Sequence, residues 1–131
     1  MTILRRLSAL ILLGILLSLV LPTALADNST QDMEFVVGYS AAGLIDELQI
    51  AWSDNLTAVV EAAGGEVILV DSQNDIAKQI ADIEDLLAQD IDYLVINPVD
   101  EAGIVPAVEA ANEAGVPVIT IDRAAGGGEV A

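Results

Sequence analysis

Two polar clusters stand where apolar runs stop, and both carry groups suited to a polyhydroxyl ligand. Val118-Ile119-Thr120-Ile121 ends in Asp122-Arg123, a carboxylate acceptor beside a guanidinium fork of donors. Tyr93-Leu94-Val95-Ile96 ends in Asn97-Pro98, adding an amide that both donates and accepts. Each hydroxyl of a sugar gives and takes hydrogen bonds, so these groups match its chemistry. An ordinary polar turn of an α/β protein accounts for the Asp-Arg pair alone equally well. The elements that position it must decide.

Those elements alternate along the chain. Phe35 to Tyr39 is a short apolar strand, and Ser40-Ala41-Ala42-Gly43 is the loop after it. Ile45, Leu48, Trp52, Leu56, Val59 and Ala63 recur at helical spacing until Gly64-Gly65 ends the run. Glu66 to Val70 is a second strand, followed by the polar loop Asp71-Ser72-Gln73-Asn74-Asp75, which also caps a second helix. The apolar stripe of that helix is Ile76, Ile80, Ile83, Leu86 and Leu87. Asp92 to Ile96 is a third strand, and Val99 to Ala114 is a third helical segment, with Pro106 tolerable only near its first turn. Gly115 caps that segment, Pro117 opens the fourth strand, and Gly126-Gly127-Gly128 loosens the chain beyond it. Strand and helix in alternation predict an α/β fold: a three-layer open parallel sheet built from right-handed βαβ units. Ligands of such sheets sit beyond the carboxyl ends of the strands. Here those ends carry Ser40, Asp71, Asn97 and Asp122-Arg123.

Composition removes many other chemistries. The chain has 131 residues, enough for one domain at most, with neither cysteine nor histidine. Disulfides, thiol catalysis and the commonest metal ligands are therefore excluded, and so is an ordinary catalytic triad. No metal site or cofactor is expected. Ser40-Ala41-Ala42-Gly43 has neither a dinucleotide fingerprint nor the lysine of a phosphate loop. The carboxylate pairs Asp46-Glu47 and Glu84-Asp85 are adjacent in sequence and point in different helical directions. An enzyme is not expected. The formal charge of −17 makes nucleic acid an implausible partner and describes a solvated surface suited to high salt.

Residues 1–26 have the form of a secretory signal. Arg5 and Arg6 precede the apolar stretch Leu7 to Leu21, Pro22 breaks it, and Ala24-Leu25-Ala26 is a small-x-small cleavage pattern. A retained membrane anchor is the alternative, but the run is shorter than the ~20 residues a span prefers. Residues 27–34 form a polar linker containing the formal glycosylation sequon Asn28-Ser29-Thr30. Cleavage after Ala26 leaves 21 acids against two bases, Lys78 and Arg123. An exported protein, periplasmic or extracellular, is expected.

The motifs together resemble a known family. Asp71-Ser72-Gln73-Asn74-Asp75, Lys78-Gln79, Asp82-Ile83-Glu84-Asp85-Leu86, Ile96-Asn97-Pro98-Val99-Asp100, Ala110 to Gly115 and Val118 to Arg123 resemble the ribose-type sugar-binding proteins of ABC importers. These are periplasmic binding proteins of type 1, whose fold also occurs in the ligand domains of LacI-type repressors. The export signal and the lack of a DNA-binding helix pair separate this chain from the repressors. The resemblance implies that residues 35–131 are the amino-terminal lobe of a sugar-binding domain, incomplete and without its second lobe. It also implies that Asp122 and Arg123 bind sugar hydroxyls, with Asn97 a ligand-side amide and Ser40, at the end of the first strand, a further ligand-binding candidate. Ribose-type members carry an aromatic loop after that strand. This chain has Gly43-Leu44-Ile45-Asp46-Glu47-Leu48-Gln49 instead, more like xylose-type members. Asp46 and Glu47 are thus candidate hydroxyl acceptors, although acids at a helix start also favour its dipole. Trp52 could stack on a sugar, but its place in the helical stripe favours core packing.

The implied function is solute capture: a monosaccharide or polyol is bound and delivered to an ABC permease by a monomeric protein. A sensory module presenting the ligand to a membrane receptor is the alternative. An enzyme on the same scaffold is a third reading.

Overall fold

The computed structural model describes residues 34–131. The expected signal segment 1–26 and most of the linker 27–34 lie outside the described residues. Strand β1 (Val36–Ala41) is followed by helix α1 (Glu47–Ala62), β2 (Glu66–Asp71) and α2 (Ile76–Leu87). Then come β3 (Tyr93–Ile96), α3 (Val105–Glu113) and β4 (Val118–Thr120). All strand pairs are parallel and the spatial order is β2-β1-β3-β4. The expected α/β parallel sheet is therefore observed, with helices on both faces.

Register explains which side chains meet which helices. In β1, Val37, Tyr39 and Ala41 point to the α1 side, where they pack with Val60, Val95, Leu56 and Ile121. Gly38 and Ser40 point the other way. On that side Leu94, Ile96 and Val118 join Ile83 and Leu86 of α2 and Val108 and Ala111 of α3 in the larger core. Each fully buried leucine or isoleucine there stabilises the fold by about 1.5–3 kcal/mol relative to exposure. Gly38 has no side chain because Ile91 and Leu86 occupy its space: an added Cβ would lie 2.7 Å from Ile91 Cδ1.

Caps account for the helix boundaries. Asp46 accepts from the Gln49 amide at 2.8 Å and opens α1. Asp75 accepts from Ala77 and Lys78 at 2.8 and 3.1 Å and opens α2. Gly64 takes φ +86° after α1, as its place in the sequence anticipates. The third helix is shorter than the expected Val99 to Ala114. It starts at Val105 after a turn closed by Asp100, whose carboxylate accepts from the Gly103 amide at 2.6 Å, and Pro106 falls in its first turn.

The stripe expected for the first helix needs correction. Ile45, Leu48 and Val59 are exposed, whereas Ser53 and Val60 are buried. The bulky Tyr39 lies beneath the helix, and the small Ser53 fits above it with its hydroxyl bonded to Gln49 O at 3.1 Å. The α1 face of the sheet is also less covered than the other. Leu69, Tyr93 and Ile119, all exposed, share the parity of the α1-facing residues in their strands.

Candidate functional site

The strand order places the site. From β1 the chain moves outward to β2 across one face, then returns past β1 to β3 and β4 across the other. The carboxyl ends of β1 and β3 therefore flank a topological switch point, where open parallel sheets bind ligands. The ladder continues into this crevice, because the Asn97 amide donates to Ser40 O at 2.9 Å. Asn97 is buried, and its Oδ1 receives no hydrogen bond from the described residues. A buried acceptor left in this way costs about 1–3 kcal/mol, so a donor brought to it is favoured.

One strand further along, β4 ends in a tight three-residue turn. Asp122 adopts φ +66° and the Arg123 amide donates to Ile121 O at 2.7 Å. Positive-φ γ-turns are rare and strained, and aspartate tolerates them better than most residues. Strain of this kind persists where neighbouring contacts over-determine it. Here the neighbour is Arg123, whose Nη1 donates to Pro98 O at 3.1 Å and to Val99 O at 3.0 Å. The guanidinium thus spans from the end of β4 to the turn after β3. Its Nε lies 3.9 Å from Asp122 Oδ2, and both side chains are partly open to solvent. Such a pair contributes little to stability. It does hold an acceptor and spare donors side by side at the sheet's carboxyl rim.

Asp122, Arg123 and Asn97 are therefore gathered on the ends of β3 and β4. Ser40 lies beneath this rim rather than on it. It is fully buried, its hydroxyl 3.4 Å from Ser72 Oγ and accepting from Gln79 Nε2 at 3.2 Å. Its even position in β1 turns it toward α2. Asp46 and Glu47 sit exposed at the start of α1, with Asp46 engaged as the cap. Among the described residues no hydrogen bond joins them to Asp122 or Arg123.

Two further residues come into view. Gln79, buried on α2, bonds at once to Ser40 at the end of β1 and to both sides of Pro98 in the turn after β3; in sequence its one signal is an amide placed on the apolar stripe between Ile76 and Ile83. Trp52 is half-buried and lines a cleft of about 390 Å³ with Asn55, Leu56, Val95, Ile121 and Asp122. A second groove of about 360 Å³ lies at the amino end of β4 and includes none of the rim residues. Beneath α1, burial pushes the Tyr39 phenol above its ordinary value of 10.0, opposed in part by a hydrogen bond with Ser53. No group of three or more acidic, histidine or cysteine side chains among the described residues could hold a metal ion.

Comparison with known proteins adds sequence and structural relatives. Residues 37–131 match the model of the periplasmic binding protein domain. The chain is 44% identical over 103 residues to the ribose import binding protein RbsB of Bacillus subtilis, covering 79% of this chain and 34% of that protein. An ABC transporter solute binding protein from Mycobacterium smegmatis, solved with bound glycerol, superposes with a TM-score of 0.70 at 38% identity. That match covers 72% of this chain and 33% of the other. A solute binding protein from Agrobacterium vitis with bound allitol gives 0.63 at 31% identity, over 68% of this chain and 31% of the other. The chain spans about a third of the length of these relatives.

Proposed function

This chain belongs to the periplasmic binding protein family, and from that premise we propose that it forms part of an exported solute-binding protein for a monosaccharide or related polyol. The protein would deliver that ligand to an ABC permease. The observation that carries the proposal is the rim itself: Asp122 and Arg123 set side by side at the end of β4, with Arg123 anchored on the turn that follows Asn97. A carboxylate, a guanidinium and a buried amide acceptor satisfy hydroxyls that each donate and accept. The relatives named for ribose import and those holding glycerol or allitol support this ligand class.

Asp122 and Arg123 contact the sugar directly in this proposal, and Asn97 offers its free acceptor. Ser40 supports the rim from below, while Asp46 and Glu47, exposed at the start of α1, are further candidate acceptors for ligand hydroxyls. No bond is made or broken. The protein works by binding, and a second lobe closes over the ligand, excluding the water that competes for its hydroxyls. Residues 1–26 act as the export signal, cut after Ala26, and residues 27–34 link it to the lobe, which places the mature protein in the periplasm or outside the cell. In the full-length protein, Asp122→Ala should abolish the thermal stabilisation given by D-ribose or glycerol while leaving the circular dichroism spectrum intact. Undiminished stabilisation by both ligands would refute the assignment of the rim.

A further inference from the structure

Gln79 is fully buried in the first turn of α2, and its amide makes three hydrogen bonds to two other segments, the end of β1 and the turn after β3. Nε2 donates to Asn97 O at 2.8 Å and to Ser40 Oγ at 3.2 Å, while Oε1 accepts from the Val99 amide at 2.8 Å. The orientation of the amide follows from these partners, since a peptide N–H can only donate and a peptide oxygen only accept. Asn97 O and Val99 N lie on either side of Pro98, so one side chain clamps both ends of this turn. The same turn presents Pro98 O and Val99 O to Arg123 Nη1. Ser72 joins the node through the Ser40 hydroxyl, tying in the end of β2.

We propose that Gln79 is a positioning residue for the sugar site, acting through the Asn97–Val99 turn to set where the Arg123 guanidinium lies. The inference rests on the functional reading above for its consequence in ligand affinity, but its structural core does not require a ligand. Glutamine suits the place because one planar amide supplies the acceptor for Val99 and the donors for Asn97 and Ser40. No apolar side chain of the same length can do so. Carbonyls no longer held from behind cannot fix a guanidinium in front, and the donors left for a ligand lose their aim.

Gln79→Met preserves volume and removes all three hydrogen bonds. Two arms test it in the full-length protein. Without ligand, proton exchange of the Arg123 guanidinium, read by NMR, should quicken several-fold in the variant; unchanged exchange would overturn the inference. With D-ribose as the probe, affinity should fall about tenfold, the equivalent of one charge-assisted hydrogen bond. That loss should largely vanish in an Arg123→Ala background, because a residue acting through Arg123 has nothing to position once it is gone. Additive losses would instead mark Gln79 as a general structural residue and overturn the proposal. If Gln79→Met does not fold, exchange in the unsubstituted protein decides: D-ribose should slow the Val99 amide and the Arg123 guanidinium together, and slowing of Arg123 alone would refute the coupling. A native protein that binds neither D-ribose nor glycerol would refute the functional reading, and the ligand-free arm would still decide the role of Gln79.

Discussion

Replacing Arg123 with lysine keeps the positive charge and removes the fork. In the structure a single nitrogen, Nη1, donates to two carbonyls, which leaves Nη2 and Nε for a ligand. Lysine carries its donors on one atom at the tip of a flexible stem, so it cannot brace the turn and face a sugar at once. Hydrogen bonds to charged groups contribute about 1.5–3 kcal/mol when shielded from water. The Arg123 side chain is 47% exposed, so solvent screening reduces the combined contribution of its two bonds to about 1 kcal/mol. In a protein of its relatives' length, of which the matched 103 residues are 34%, such a loss lowers the melting temperature by about 2 °C. D-Ribose affinity should fall roughly tenfold as well, about 1.4 kcal/mol, because the planar donors that the proposed site offers a ligand are gone. Thermal unfolding followed by circular dichroism reads the first effect, and titration calorimetry on the full-length protein reads the second. A lysine variant with the arginine protein's melting temperature and ribose affinity would refute both the anchor and the fork.

Other consequences can be checked on the fold itself. Gly38→Ala would place its Cβ 2.7 Å from Ile91 Cδ1 and 3.3 Å from Leu86 Cδ1, an overpacking expected to cost about 1–3 kcal/mol. Leu86→Ala should cost about 2–5 kcal/mol through its cavity. The double variant should fall short of their sum by about 0.5–3 kcal/mol, since Ile91 can move into the vacated space; additive urea-unfolding energies would contradict this packing. Tyr39 gives a pH signature. Its folded pKa is raised above the unfolded 10.0, so its contribution is complete below pH 10 and is lost as pH rises through the folded value. Tyr39→Phe should flatten that alkaline loss, and an unchanged slope would show that another group titrates.

Much of this was legible in the sequence because strand and helix periods alternate cleanly and end in strong punctuation. Gly64, Asp75 and Gly115 mark helix boundaries through backbone demands that few other residues meet. Asp122-Arg123 and Asn97 were legible as strand-end polar groups, since any parallel sheet presents such ends together. What escaped depends on side-chain direction. Ser40 sits one residue from Tyr39 and Ala41, and parity alone turns its hydroxyl inward to Gln79. The α1 stripe was misplaced because Ile45 and Leu48 fit helical spacing as well as Ser53 and Val60 do. Which row faces the sheet depends on the bulk of Tyr39, a contact between segments that periodicity does not encode. Gln79 was hidden because its partners lie on strands and loops 18 to 39 residues away.

The most direct test of the proposed sugar site is an NMR titration of the full-length protein with D-ribose, following backbone amides and the Arg123 guanidinium. Saturable shifts concentrated at Asn97 to Val99 and at Ile121 to Arg123 are expected, with the amino-end groove around Asn112 and Glu129 unmoved. Saturable shifts confined to that groove, or none at the rim while the ribose is demonstrably bound, would contradict the assignment of the carboxyl rim as the ligand site.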